Sequence, residues 1–157
     1  MKRWLELKSV ARSGWVNSGI HSPESVAAHS WGMGVLAMYL CPEDLNRQRV
    51  LEMCLIHDLP EVIVGDLTPE DDCSTKSEDE LAAMNELAPQ WLELFVEYEA
   101  QETPESKFVK SMDKLDMALQ AMIYREQGVN LDEFINSAIQ GVELEWVRNL
   151  IADMDMN

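Results

Sequence analysis

Apolar residues recur along most of this chain in steps of three and four, the spacing that places side chains on one face of an α-helix. One such pattern begins at Ser22, which we predict as the N-cap, with Pro23 at the first helical position. The longest pattern begins at Thr103 and Pro104. The inward-facing residues are predicted to be Val26, His29, Met33, Leu36 and Leu40 in the first helix, and Phe108, Met112, Leu115, Leu119 and Met122 in the longest one.

The rest of the chain follows the same helical spacing. No stretch alternates between apolar and polar residues for long enough to indicate a β-strand, and residues 61–64, the best candidate, are too few. The sequence therefore predicts an all-α fold. Its 157 residues fit one core, so we assign residues 1–157 to a single domain. Further helices are predicted over 45–59, over 81–98 with Leu81 facing inward and an interruption at Pro89, and over 131–139 and 142–154.

The charge of the chain limits its partners. Its formal net charge is −17, from 29 acidic and 12 basic residues. A surface this acidic repels a phosphate polymer, so we expect no binding to DNA or RNA. A small phosphorylated substrate remains compatible, because a bound metal ion and a few nearby cations reverse the field inside a pocket. Many of the acids lie within 69–80 and 93–105, which we interpret as solvated helix faces; the run 70–80 is alternatively a lid.

Three further features bear on where the protein works. No apolar run approaches the roughly 20 residues needed to cross a bilayer, so we expect no membrane partner. Glu6, Lys8 and Arg12 interrupt the N-terminal stretch, which makes it a poor secretory signal. The three cysteines lack the spacing of a thiolate zinc site, and their odd number argues against a disulfide framework. We therefore expect a cytoplasmic protein.

Four residues from separate parts of the chain form a candidate metal site. His29 and His57 lie on the inward faces of two predicted helices, and Asp113 borders the apolar stripe of a third, where burial needs a partner. Asp58 follows His57 directly, and helix neighbours reach one ion only near a helix end, which the following Leu-Pro pair supplies. Two imidazoles and two carboxylates suit cobalt, manganese, iron or magnesium better than structural zinc. The alternative interpretation is two packed histidines, a capping Asp58 and a surface Asp113.

Further polar residues are placed to act on a phosphorylated substrate. Glu61 stands one helical turn after His57, where a carboxylate can orient an attacking water or pass a proton to the leaving oxygen; the alternative is an exposed glutamate at a helix end. Arg12 can grip a phosphate and Trp15 offers a flat face to a base or sugar, unless the two are a solvated charge and a core anchor. The remaining candidates are Asp66 and Thr68, in a predicted turn over 65–69, and a second cation, Lys76.

Taken together, these residues resemble the HD-domain 5'-deoxynucleotidases, which comprise a bacterial YfbR-like group and the related HD-domain-containing protein 2 group. A His-Asp pair alone is weak evidence, whereas an ordered set of motifs at these spacings is specific. The likeness runs from about residue 7 to residue 125. The matching segments are residues 12–15, 23–30, 56–61, 65–69, 97–100 and 107–117.

The resemblance implies a helical HD bundle, often a homodimer, that hydrolyses deoxyribonucleoside 5'-monophosphates to deoxynucleosides and phosphate. It implies a divalent metal ion as cofactor and a small nucleotide as substrate. The residue roles that it implies are metal ligation by His29, His57, Asp58 and Asp113, action on the attacking water by Glu61, orientation of the phosphate by Arg12, and nucleoside contacts by Trp15 and by Asp66 with its turn.

The chain departs from the family pattern in two places. Ala28 stands where relatives usually carry an acidic residue, which removes a possible partner of the first ligand histidine. Asn17 and Ser18 stand where many carry an arginine, so phosphate binding would rest on Arg12, the metal and Lys76. Two other functions stay open: an HD hydrolase acting on a cyclic nucleotide or a nucleoside triphosphate, and a non-catalytic helical binding module. The presence of Glu61 argues against the binding module, which has no need of a water-activating group.

Overall fold

The computed structural model describes residues 1–68, 71 and 73–156. All the regular elements in this part of the chain are helices, and the only β-type pairing there is an isolated antiparallel bridge between Ala11 and Ser25. The predicted all-α class is therefore confirmed. None of the described helices is long and apolar enough to cross a membrane. In chain order the helices are a 3-10 helix at Lys2–Ser9, α1 at Ser13–Asn17, α2 at Val26–Leu40, α3 at Arg47–Ile56, α4 at Glu61–Val64, α5 at Lys76–Leu87, a 3-10 helix at Pro89–Trp91, α6 at Leu92–Ala100, α7 at Pro104–Arg125, α8 at Asp132–Gly141 and α9 at Glu145–Asp155.

Helix α2 begins three residues later than its cap signal predicted. The N-cap is Ser25, whose hydroxyl oxygen accepts a hydrogen bond from the amide of Ala28 at 3.2 Å. The predicted cap at Ser22 is wrong because the chain before α2 is held extended against residues 10–12. There the amide of Arg12 donates to the carbonyl of Glu24, and the amide of Val26 donates to the carbonyl of Val10. A tertiary contact therefore overrides the local proline signal.

The other predicted helices form with shifted ends. The 45–59 prediction becomes α3 followed by a turn and then α4, which occupies the residues considered for a strand. The 81–98 prediction becomes α5, a 3-10 turn at Pro89 and α6. Leu81 is 43% exposed, so its predicted inward position is wrong; the buried face of α5 is formed by Glu80, Ala83, Met84 and Leu87.

Helix α7 lies at the centre of the bundle, in contact with α2, α3, α6, α8 and α9. Its start matches the prediction, because Thr103 caps it by accepting from the amide of Ser106, with Pro104 in the first turn. Helices α2 and α3 pack against each other and both pack against α7. The inward faces of these three helices therefore meet, and the candidate metal ligands lie on those faces or just beyond them.

Candidate metal centre and adjoining cavity

The side chains of the four candidate ligands converge at this junction. Nε2 of His29 lies 3.3 Å from Oδ1 of Asp113 and 3.9 Å from Oδ2 of Asp58. Nε2 of His57 lies 3.0 Å from the same oxygen of Asp58. One ligand atom from each of His29, His57 and Asp113 falls within 4.8 Å of the others, and all three residues are buried. The alternative of a surface Asp113 is therefore wrong.

The hydrogen bonds of the two imidazoles leave their Nε2 atoms facing this junction. Helix α3 ends at Ile56, and Nδ1 of His57 lies 3.1 Å from the carbonyl of Cys54. A carbonyl only accepts, so Nδ1 of His57 donates, and in the neutral ring Nε2 carries a lone pair. Nδ1 of His29 is likewise 2.7 Å from a carboxylate oxygen, that of Asp116.

The donor set fits a divalent cation. The Nε2 atoms of His29 and His57 are buried and make no hydrogen bond within the described part of the chain, although carboxylate oxygens lie near them. Burial works to raise the pKa of Asp113, but Lys110 and His29 outweigh it and hold that pKa well below its usual range. Burial likewise opposes ionisation of Asp58, and His57 and Arg12 reverse the effect, so its pKa is lowered. Two ionised carboxylates and two imidazole lone pairs around one point can hold a metal ion.

A cavity of about 310 Å³ opens beside this junction, and the predicted substrate residues line it. Arg12 lies at the end of the extended segment before α1, with Nη1 at 3.5 Å from Asp58 and 3.7 Å from Asp66. Burial works to lower the pKa of Arg12, but these carboxylates outweigh it and raise the pKa, so the guanidinium stays charged. Asp66 also accepts from the amide of Ser13 at 2.5 Å, which ties the 65–68 segment to α1. Arg12 is thus held in place, and the solvated-charge alternative is wrong.

Glu61 is a buried wall of the cavity rather than an exposed glutamate at a helix end. Glu61 is the first residue of α4 and is 4% exposed, and its Oε2 makes no hydrogen bond to the described residues. Burial, with added repulsion from Asp58 and Asp66, raises the pKa of Glu61 to about 10. In the absence of a cation, the carboxyl group is therefore protonated at neutral pH.

This raised pKa predicts how Glu61→Gln changes stability with pH in the chelated protein. The pKa in the folded state lies above the ordinary value of 4.5, so between pH 4.5 and 10 the glutamate ionises more readily in the unfolded chain. The stability of the wild type is therefore greatest, as far as Glu61 is concerned, below pH 4.5 and falls as pH rises toward 10. Glutamine does not ionise. We therefore expect Glu61→Gln to gain stability over the wild type between pH 5 and pH 8, by up to about 1.4 kcal/mol per pH unit. Urea unfolding in a chelator at a series of pH values measures this; parallel pH profiles would contradict it.

Trp15, Thr68 and Lys76 lie at the edges of the same cavity. Trp15 is buried, with its ring 4.6 Å from that of Phe134, so it is a core residue that also forms part of the cavity wall. The amide and hydroxyl of Thr68 both donate to a carboxylate oxygen of Asp71. Lys76 begins α5 and pairs with Glu80 at 3.6 Å. Of the predicted turn and acidic run, Pro69, Glu70 and Asp72 lie outside the described residues.

Several cavity residues were missed from the sequence. Lys110 contacts Asp113 at 2.9 Å and donates to the hydroxyl of Tyr98 at 3.2 Å. Lys114 also lines the cavity, and burial lowers its pKa. The position of Lys110 was predictable, because a residue three before Asp113 lies on the same helix face, whereas Lys114, the next residue, does not share that face. Phe134 and Ser137 come from α8, and no sequence motif marked them.

An all-helical bundle with two imidazoles and two carboxylates gathered beside a cavity lined with cations defines a class of metal-dependent hydrolases. A family model described as HD domain matches residues 5–149. The chain therefore belongs to the HD-domain family, as the resemblance in its motifs predicted.

Individual relatives agree with this assignment. The 5'-deoxynucleotidase HDDC2 of Xenopus laevis is 40% identical over 150 residues, which cover 87% of this chain and 75% of that protein. The 5'-deoxynucleotidase hdd1 of Schizosaccharomyces pombe is 38% identical over 135 residues, covering 77% of this chain and 68% of that protein. Among solved structures, a conserved hypothetical protein from Pyrococcus furiosus superposes with a TM-score of 0.87 at 33% identity, covering 99% of this chain and 97% of that one. The similarity thus extends well beyond the His-Asp pair.

Proposed function

We propose that this protein is a 5'-deoxynucleotidase, an HD-domain phosphohydrolase that converts deoxyribonucleoside 5'-monophosphates to deoxynucleosides and inorganic phosphate. The observation that carries the proposal is the meeting of His29, His57 and Asp113 within 4.8 Å, next to a cavity lined by Arg12 and Glu61. The name of the activity comes from the relatives in Xenopus laevis and Schizosaccharomyces pombe.

In this proposal His29, His57, Asp58 and Asp113 hold one divalent ion, with cobalt or manganese preferred and iron or magnesium also suited. Such an ion supplies Lewis-acid chemistry, activating water and offsetting charge on phosphoryl oxygens. A nearby cation also favours the ionised form of Glu61. Glu61 then orients the attacking water and accepts its proton.

The cations of the cavity receive the phosphate. Arg12 presents two nitrogens in a fixed fork that matches phosphate oxygens, and its contacts to Asp58 and Asp66 fix its direction. Lys76, Lys110 and Lys114 line the same cavity. With Arg12 they match in number its four acidic residues, so the cavity is less acidic than the chain as a whole, whose net charge is −17. For the nucleoside we assign the wall formed by Trp15 and Phe134 and the polar rim of Asp66 and Thr68.

The function is tested by phosphate release from a panel of substrates. The protein is treated with a chelator, and cobalt, manganese, iron or magnesium is then added back separately. The panel contains deoxyribonucleoside and ribonucleoside monophosphates, cyclic nucleotides and deoxynucleoside triphosphates. We expect deoxyribonucleoside monophosphates to be hydrolysed, with activity lost on chelation and restored by cobalt or manganese. Activity confined to cyclic nucleotides or triphosphates would overturn the proposed substrate.

We further propose a homodimer formed through the outer face of α2. This helix contains no Asp, Glu, Lys or Arg, and its outer side exposes large apolar groups, with Trp31 at 70% and Tyr39 at 87% exposure. Exposed apolar patches mark interaction sites, and a twofold axis pairs such a patch with itself. The exposed stripe comprises Trp31, Val35, Met38 and Tyr39.

We also propose a cytoplasmic location. The described cysteines are all free, which suits the reducing environment of the cytoplasm.

Trp31→Glu is expected to dissociate this dimer. A glutamate on each copy would lie within an apolar interface without a partner charge, which opposes association. Leu81→Glu is the matched control, because Leu81 is a partly exposed apolar residue on a different helix, α5. Light scattering after gel filtration should give twice the chain mass of 17.9 kDa for the wild type and the control, and 17.9 kDa for Trp31→Glu. A dimeric Trp31→Glu variant would rule out this face.

A further inference from the structure

The ring of His29 is oriented from behind by a carboxylate on another helix. Nδ1 of His29 lies 2.7 Å from Oδ2 of Asp116, and the His29 side chain is fully buried. Glu24 lies in the same group of acids, but its Oε1 accepts from the indole of Trp15 at 3.0 Å. A carboxylate accepts the Nδ1 proton, so in the neutral ring the Nε2 lone pair of His29 points toward Asp58 and Asp113.

A glycine makes room for this carboxylate. Gly32 stands one turn after His29 on α2, and a Cβ built there would lie 2.1 Å from Oδ1 and 3.1 Å from Cγ of Asp116. Real Cβ atoms do not approach an oxygen so closely, so any side chain at position 32 displaces the carboxylate. At Gly34, two residues along the same helix, a Cβ would have no atom of the described residues within 4 Å apart from its chain neighbours and the backbone of its own helix. The close approach at Gly32 is therefore specific to that position and is not a property of the helix.

We propose that Asp116 and Gly32 are positioning residues for the metal centre: Asp116 fixes the tautomer and direction of His29, and Gly32 gives Asp116 the space to do so. The inference rests on the metal site of the proposed function. Asp116 lies one turn after Asp113, so one helix supplies both a ligand and the support of another ligand.

The test measures metal affinity without substrate. The chelated full-length protein is titrated with Co²⁺ by calorimetry, and the visible absorption of Co²⁺ is recorded for the wild type and for Asp116→Ala, Gly32→Ala, Gly34→Ala and the double variant Gly32→Ala with Asp116→Ala. We expect Asp116→Ala and Gly32→Ala each to weaken Co²⁺ binding by roughly 10- to 100-fold and to change its spectrum, because such partners orient the ligand. Gly34→Ala should bind Co²⁺ within about twofold of the wild type.

The double variant separates positioning from a general packing defect. If Gly32 acts through Asp116, adding Gly32→Ala to Asp116→Ala changes Co²⁺ affinity by no more than about twofold. Wild-type affinity in Asp116→Ala, or a full further loss in the double variant, would overturn the proposal, and Asp116→Ala decides the point even if Gly32→Ala does not fold. If the Co²⁺ affinities of the variants follow this pattern but the wild-type protein releases no phosphate, the proposed function is contradicted and this inference is supported.

Discussion

Replacing Asp113 by asparagine is expected to weaken divalent metal binding by more than about 100-fold, because loss of a direct ligand exceeds the roughly 10- to 100-fold effect of losing a ligand's supporting partner. Asp113 is buried and lies between Nε2 of His29 and the ammonium of Lys110. Asparagine keeps the size of the side chain and removes its charge. The metal then loses an anionic ligand, and Lys110 loses its carboxylate partner.

Calorimetric titration with Mn²⁺ measures this effect, together with phosphate release at saturating metal. Asp132→Asn is the control, because Asp132 pairs with Arg125 at the surface, where ion pairs contribute little to stability. Circular dichroism of both chelated variants shows whether they fold. A folded Asp113→Asn protein with wild-type Mn²⁺ affinity would remove Asp113 from the ligand set.

Glu61→Gln is expected to lower kcat by roughly 10²- to 10⁴-fold, the usual range for losing a general base, while Mn²⁺ still binds. Glutamine fits the buried position of Glu61 and cannot accept a proton from water. The substitution leaves the proposed metal ligands, two carboxylates and two imidazoles, unaltered. The loss should therefore fall on the chemical step and leave metal affinity close to that of the wild type.

Steady-state hydrolysis of a deoxyribonucleoside monophosphate measures this loss. Glu97→Gln serves as the control, since Glu97 is a half-buried carboxylate that binds Arg49 and Thr103 away from the cavity. An unchanged kcat in Glu61→Gln would exclude Glu61 as the base. Loss of Mn²⁺ binding in that variant would instead make Glu61 a ligand.

Much of the fold follows from periodicity in the sequence, because burial of one helical face sets the spacing of apolar residues. The long α7 was predicted with its cap at Thr103, where the local signal and the tertiary structure agree. The start of α2 was not, because the extended pairing of residues 10–12 with 24–26 overrides Pro23. The short helices at Lys2–Ser9 and Ser13–Asn17 were missed, since each is too short for its periodicity to show.

The candidate site divides in a similar way. The residue types and spacing of His29, His57, Asp58 and Asp113 indicated a metal, and the structure brings these side chains together. Asp116 was not among the predicted site residues, because an acidic residue beside the apolar face of a helix is expected to be solvated unless its partner is known. The wall from α8 depends on how that helix packs on α7, which sequence spacing does not encode.

The most direct test of the metal centre is a crystal structure of the protein loaded with Co²⁺, with data collected at the cobalt absorption edge. We predict one strong anomalous peak within about 2.0–2.3 Å of Nε2 of His29, Nε2 of His57 and carboxylate oxygens of Asp58 and Asp113. A fully loaded crystal with no peak between these four side chains, or with its peak elsewhere in the molecule, would contradict the assignment.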